Sequence, residues 1–302
     1  MSKRMRANLM LLLTAFIWGT AFVAQIKGMD NLGPFSFAAA RNFVGGLFLV
    51  PVGLYFRTKD KTQKTEEEAK FEKKNLILGG IACGVVLFVA GSLQQVGLSY
   101  TTAGKAGFIT ALYIVIVPLL GIFIGKKIRP IIWGCVLVAA VGLYLLSITG
   151  GFNIGRGDLL VLLCAVGFSM HILVIDYFSP KTDGVAMSCI QFFVVAACSA
   201  VVMFIFETPT WEYIMSAWIP ILYAGVLSSG VGYTLQIVAQ KDTDPTTASL
   251  LMSLESVFAL LAGMAALGEV MSGRQILGCA LMFIAIVAAQ LPEKRNNKQV
   301  GA

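Results

Sequence analysis

The chain has 302 residues, of which 57% are hydrophobic and only 13% charged, with a formal net charge of +7. A soluble domain carries about 25% charged residues, so this composition excludes a water-facing globule. The basic excess sits between apolar runs, which points to membrane topology rather than to nucleic acid.

Ten segments are long and apolar enough to be read as spans of a ~30 Å hydrocarbon core. They run near 7–26, 34–56, 75–98, 103–125, 130–149, 158–178, 184–206, 216–239, 246–268 and 274–291. The ~10-residue alternation of a membrane β-barrel is absent. The expected fold is therefore all-α and integral to the membrane. The first span follows Lys3, Arg4 and Arg6 and is read as a mature helix rather than a leader. Short turns such as "GMDNLGP" and "KDTDP" join most spans. The exception is Arg57 to Asn75, a highly charged stretch read as a mobile or helical surface loop, with Glu66, Glu67 and Glu68 as a solvated run. Six cysteines, none in a CxxC pair, are expected to be small buried hydrophobes.

Eighteen of the 23 Lys and Arg fall on one set of loops and four on the other, while Arg41 lies inside the second span. The bias predicts cytoplasmic N- and C-termini in a cytoplasmic membrane.

The halves resemble each other. "SLQQVGLSYTTAGKA" from Ser92 aligns with "TLQIVAQKDTDPTTA" from Thr234, and "WGCVL" from Trp133 with "LGCAL" from Leu277. Five spans per half is an odd number, so the second half would enter from the opposite side. Two inverted five-helix repeats, residues 1–150 and 151–302, around a central cavity are the architecture expected of a secondary transporter.

The ordered set "AFIWGTAFV", "AAARNFVGGLFLVP" and "LESVFALLAGMAALGE" resembles the EamA-type transporters of the drug/metabolite transporter superfamily. The resemblance spans about residues 7–291. It implies movement of small metabolites, amino acids or drugs across the cytoplasmic membrane, commonly outward. One departure stands in "FIGKKIRP", where Lys126 replaces the acid of the second half's "LGE". No role is therefore carried over for a second glutamate.

Charge inside the spans is scarce, so each case is a candidate. Glu255 lies nine residues past Thr246, about 13–14 Å along a helix and near the midplane. An acid there costs a few kcal/mol unless it faces the bundle interior. Two readings stand: a site for a substrate cation or proton, or a structural acid bonded to another helix. Tyr113 is its repeat-mate, a candidate pocket wall. His171 is the only histidine. Its unperturbed pKa of about 6.5 suits proton exchange, although packing is the plainer role. Arg41 could bind a carboxylate, but tying down backbone carbonyls is the favoured role. Gln94 and Gln236 match by the repeat and lie toward opposite faces, either as two gates or as interhelical hydrogen bonds. Trp18 and Tyr233 are candidate aromatic walls. Asp158, Asp176, Lys105 and Glu269 fall near span ends and are expected at the headgroups.

No P-loop, HExxH, GxSxG or dinucleotide fingerprint occurs, and no metal or cofactor is implied. The expected function is secondary active transport of a small polar or amphipathic metabolite, outward and coupled to protons. The expected partners are that solute, protons and the bilayer, with no nucleic acid, and a monomer would suffice. An uncoupled facilitator of the same superfamily and a membrane-embedded lipid-modifying enzyme are the alternatives.

Overall fold

A backbone in lipid has no water to bond to, so each spanning segment must satisfy its own N–H and C=O groups, and a helix does so locally. The computed structural model describes residues 2–59, 65–101, 103–126, 128–147, 155–267 and 272–290, and all regular structure among them is helical. The first half holds α1 (Lys3–Gly28), α2 (Pro34–Lys59), α3 (Glu66–Leu98), α4 (Ala103–Ala111), α5 (Tyr113–Phe123) and α6 (Pro130–Ser147). The second half opens with α7 (Arg156–Phe178), α8 (Gly184–Phe206), α9 (Trp211–Ser216) and α10 (Trp218–Leu222). A π-helical segment, Tyr223–Tyr233, then leads into α11 (Thr234–Ala239), α12 (Pro245–Met252), α13 (Glu255–Leu267) and α14 (Gly273–Gln290).

Among the described residues eight helical stretches are long and apolar enough to cross a membrane. At the fifth and tenth expected positions stand α6 and α14, each 18 residues long among the described residues. The protein is a multi-pass membrane protein.

Two expected spans carry a local interruption of the helical ladder. The fourth is α4 and α5, interrupted at Leu112, and the ninth is α12 and α13, interrupted at Ser253 and Leu254. Serine chemistry accounts for the second break. Ser249, Ser253 and Ser256 donate their hydroxyls to the carbonyls of Thr246, Leu250 and Ser253, each three residues back. These bonds compete with the helical ladder. In α5, Pro118 removes a backbone donor within two turns of the first break.

The charged stretch after α2 is helical from Glu66 onward. Thr65 caps α3 in a reciprocal box with Glu68. At 1.5 Å per residue the 33 residues of α3 span about 50 Å, so its charged first turns stand outside a ~30 Å core. The six cysteines are free.

Packing couples the two halves throughout. Helix α2 lies on α8, α3 on α7 and α8, and α1 on α13 and the π segment. Helix α6 pairs with α14, with Gly142 against the Gly278 backbone. Helices α4 and α5 pack on α7, α4 on α13, and α5 on α12.

The span ends correct one expectation. Asp158 is buried rather than water-facing, accepting from the Thr101 hydroxyl and the Gly155 amide at 2.8 Å each. Asp176 is paired with Lys126, tying α7 to the end of α5. The Lys105 side chain and Glu269 lie outside the described residues.

At the other end of the bundle, Glu207 at the close of α8 caps the start of α2. Its carboxylate accepts from the Phe35 amide at 2.9 Å, the Ser36 amide at 2.7 Å and the Ser36 hydroxyl at 2.5 Å. A negative charge at a helix N-terminus also meets the favourable end of the dipole. A Cβ at Gly33 would overlap this carboxylate, so glycine permits the approach. Glu207→Ala is predicted to cost about 1.5–3 kcal/mol, the range for hydrogen bonds to a charged acceptor. Thermal unfolding in detergent would read this as a lowered Tm. An unchanged Tm would mean that solvent replaces the cap.

Candidate functional site

The helix breaks meet at the centre. Tyr113 is the first residue of α5 and Glu255 the first of α13. Both side chains line one cavity. Helix α1 supplies Trp18, Phe22 and Gln25, spaced at four and three residues and therefore on one face. The remaining wall includes Arg41 of α2, Gln94 of α3, Thr110 of α4 and His171 of α7. The π segment and α11 contribute Ser228, Tyr233 and Gln236. All eight residues singled out in the sequence thus stand around a single cavity.

Glycine lets α1 reach the ninth-span break. A Cβ on Gly19 would lie 2.5 Å from the Phe258 Cβ, 2.6 Å from the Glu255 carbonyl oxygen and 2.8 Å from the Ala259 amide nitrogen. Side chains of α1 also support the widened π segment. Thr14 donates to the Gly232 carbonyl at 3.1 Å, and Trp18 Nε1 to the Ser228 carbonyl at 3.4 Å. Such widened helices occur frequently at functional sites. Here the widening ends at Tyr233, whose ring lies 4.4 Å from that of Trp18. His171 and Phe192 meet the Tyr233 ring edge-on at 5.8 and 5.6 Å.

Several polar groups of the lining are already committed. Gln94 donates to the Thr110 hydroxyl at 3.1 Å. Gln236 donates to Gln240 at 3.0 Å, and Gln240 to the Ile172 carbonyl at 3.0 Å. His171 Nε2 is 3.1 Å from Gln191 Oε1. Gln94 is one turn from the end of α3 and Gln236 nearly one turn from the end of α11.

Other groups are not committed. Gln25 Oε1, Arg41 Nε, Tyr113 Oη, Gln236 Oε1 and Glu255 Oε1 are buried with no hydrogen-bond partner. Tyr113 and Glu255 are close neighbours across two helices, near enough for the phenol to donate to the carboxylate on a small adjustment of either side chain. Buried polar atoms are nearly always paired, so five orphans around one cavity mark a place where water or a ligand completes them. Arg41 makes no hydrogen bond to a carbonyl among the described residues and rests over the Phe37 ring at 5.8 Å.

The sequence reading does not single out Gln25, Thr110 or Ser228. Gln25 had an available signal, its seven-residue spacing from Trp18 on one helix face. Ser228 takes part through its carbonyl, which accepts from the Trp18 indole. Among the described residues no cluster of three or more His, Cys, Asp or Glu could hold a metal.

The profile of the EamA-like transporter family matches the chain twice, over residues 5–148 and 155–289. An uncharacterized transporter of Archaeoglobus fulgidus is 32% identical over 291 residues, covering 96% of this chain and 87% of that protein. A chloroplastic WAT1-related protein of Arabidopsis thaliana is 26% identical, covering 92% of this chain and 68% of its own length. A crystal structure with 21% sequence identity superposes with a TM-score of 0.76 over 94% of this chain and 96% of the other, so the fold is shared. The chain belongs to the EamA-like transporter family, within the drug/metabolite transporter superfamily.

Proposed function

We propose that the protein is a secondary active transporter that moves a small polar or amphipathic metabolite, an amino acid, amine or drug-like solute, across a cell membrane. In this reading the solute carries a cationic group to Glu255, and the carboxylate holds a proton when the solute is absent. The solute leaves the cell while the proton enters. Both termini face the cytoplasm, as the distribution of Lys and Arg favours.

The observation that carries the reading is the set of five partnerless buried polar atoms around one cavity between helices of both halves. A transported solute completes such atoms intermittently.

Alternating access between inverted halves, residues 1–150 and 151–302, fits the packing. Exchanging each span for the one five positions on turns the α3–α7 contact into the contact of the π segment and α11 with α1. It likewise turns α1–α13 into α7–α5, while α2–α8 and α6–α14 map onto themselves. Gln94 and Gln236 exchange as well, as expected of two gates.

A thermal-shift screen of the purified protein against amino acids, amines, nucleosides and sugars identifies the solute class, since a ligand that binds the folded state raises Tm by mass action. Proteoliposomes loaded with an unlabelled hit should then transiently concentrate labelled hit from outside. Simple equilibration without this counterflow would assign a channel instead.

A further inference from the structure

A second, smaller pocket opens between α2, α3 and α8. Arg41 and Tyr233 line both this pocket and the central cavity, so they form the wall between the two. The pocket sits at one level of the bundle. Arg41 is seven residues from the start of α2, Ser92 six from the end of α3 and Ser199 seven from the end of α8. The Glu207 contacts place the start of α2 and the end of α8 together.

Its chemistry is one-sided. No carboxylate lines it. Arg41 is 8% exposed and makes neither a hydrogen bond nor an ion pair among the described residues; its Nε is buried and unpartnered. Ser199 is fully buried and its hydroxyl also lacks a partner. Asn42, by contrast, is already committed, donating to the Ala38 carbonyl at 2.7 Å and accepting from Ser229 at 3.0 Å. What remains free is a guanidinium and hydroxyl groups. A buried cation without a counter-charge is costly in hydrocarbon. Gly91 leaves room here, for a Cβ added to it would meet nothing within 4 Å.

We propose that this side pocket is an anion subsite, with Arg41 as its cation and Ser199 as a hydroxyl donor, that takes a carboxylate-sized monovalent anion. Guanidinium geometry suits a carboxylate, which it holds through two parallel bonds. The anion is either free or the carboxylate of the solute itself. In the second case the solute spans the wall, its anionic end at Arg41 and its cationic end at Glu255. The inference rests on the proposed transport role only for that second source.

The test is thermal unfolding of the purified protein in chloride-free HEPES, with sodium acetate added against sodium HEPES of equal ionic strength. Acetate should raise the wild-type Tm by a few degrees. Gly91→Leu fills the pocket from an open position while keeping Arg41, and should abolish the rise. Ser199→Ala should leave the unliganded Tm unchanged or higher, because it removes an unpartnered buried hydroxyl, yet reduce the acetate response. Glu255→Gln should retain the acetate response, so the anion subsite and the cation site fail separately. Adding ethylamine and β-alanine distinguishes the sources. If β-alanine stabilises more than acetate and ethylamine together, the anion belongs to the solute; if it does not, the subsite takes a free anion. The proposal is overturned if acetate does not raise the wild-type Tm. It is equally overturned if the rise persists in Ser199→Ala and Gly91→Leu; should Gly91→Leu not fold, Ser199→Ala alone decides.

Discussion

Glu255→Gln is expected to weaken binding of a cationic solute by about 30- to 1,000-fold, from the ~2–4 kcal/mol lost when one partner of a buried charge pair is removed. The substitution keeps the shape of the side chain and deletes its charge. Without solute the variant should be as stable as the wild type or more so. In the absence of solute the proposed wild-type side chain is a neutral carboxylic acid with Oε1 unpartnered, so the Gln amide replaces a neutral group of nearly the same shape and no bonded partner is lost. Structural and functional roles therefore predict opposite changes in Tm: a structural acid would destabilise on replacement, whereas a binding acid would not. Transport driven by a pH gradient should also disappear in proteoliposomes. Unchanged affinity and unchanged pH-driven transport in a folded variant would assign Glu255 to the scaffold.

Gly19→Ala is expected to lower stability by about 1–3 kcal/mol, the usual range for overpacking. Two of the three atoms that the new methyl would meet are backbone, the Glu255 carbonyl oxygen and the Ala259 amide nitrogen. Neither can rotate away, so α1 must separate from α13. That separation would also shift the residue that opens α13, and solute binding should weaken along with Tm. The control is Gly134→Ala, where an added Cβ would meet nothing within 4 Å. By helix propensity alone that change should be neutral or stabilising by up to about 1 kcal/mol. Equal effects of the two substitutions would show that α1 and α13 are not held by close approach at Gly19.

Helical class and membrane residence followed from the sequence because both depend on residue counts that survive any arrangement of helices. Apolar runs of about 20 residues must cross lipid as helices wherever their neighbours lie. The scarcity of charge within those runs likewise isolates Glu255, Arg41 and His171 without knowledge of a contact. The breaks before Tyr113 and Glu255 were not read at all. Their causes are local hydrogen bonds of serine hydroxyls and a proline several residues away, which a sliding measure of hydropathy averages out. Asp158 looked like a headgroup anchor by its position near a span end, yet Thr101, 57 residues earlier in the chain, covers it.

Only the tertiary structure decided which polar groups share a space and which of them are already bonded. Periodicity places Trp18 and Gln25 on one face of α1, but does not say that Arg41, His171 and Glu255 face the same cavity. The helical breaks and the glycine contacts that bring α1 to α13 set that convergence. Nor does composition distinguish Asn42, whose amide is spent on Ala38 and Ser229, from Arg41 one residue before it, whose guanidinium is unspent. Hydrogen-bond satisfaction is a property of pairs, and a pair exists only once the chain has folded. The sequence by itself determined a multi-helix membrane protein with a few costly charges in its interior; their gathering around one cavity, and the orphaned state of their atoms, belong to the packing of one half against the other.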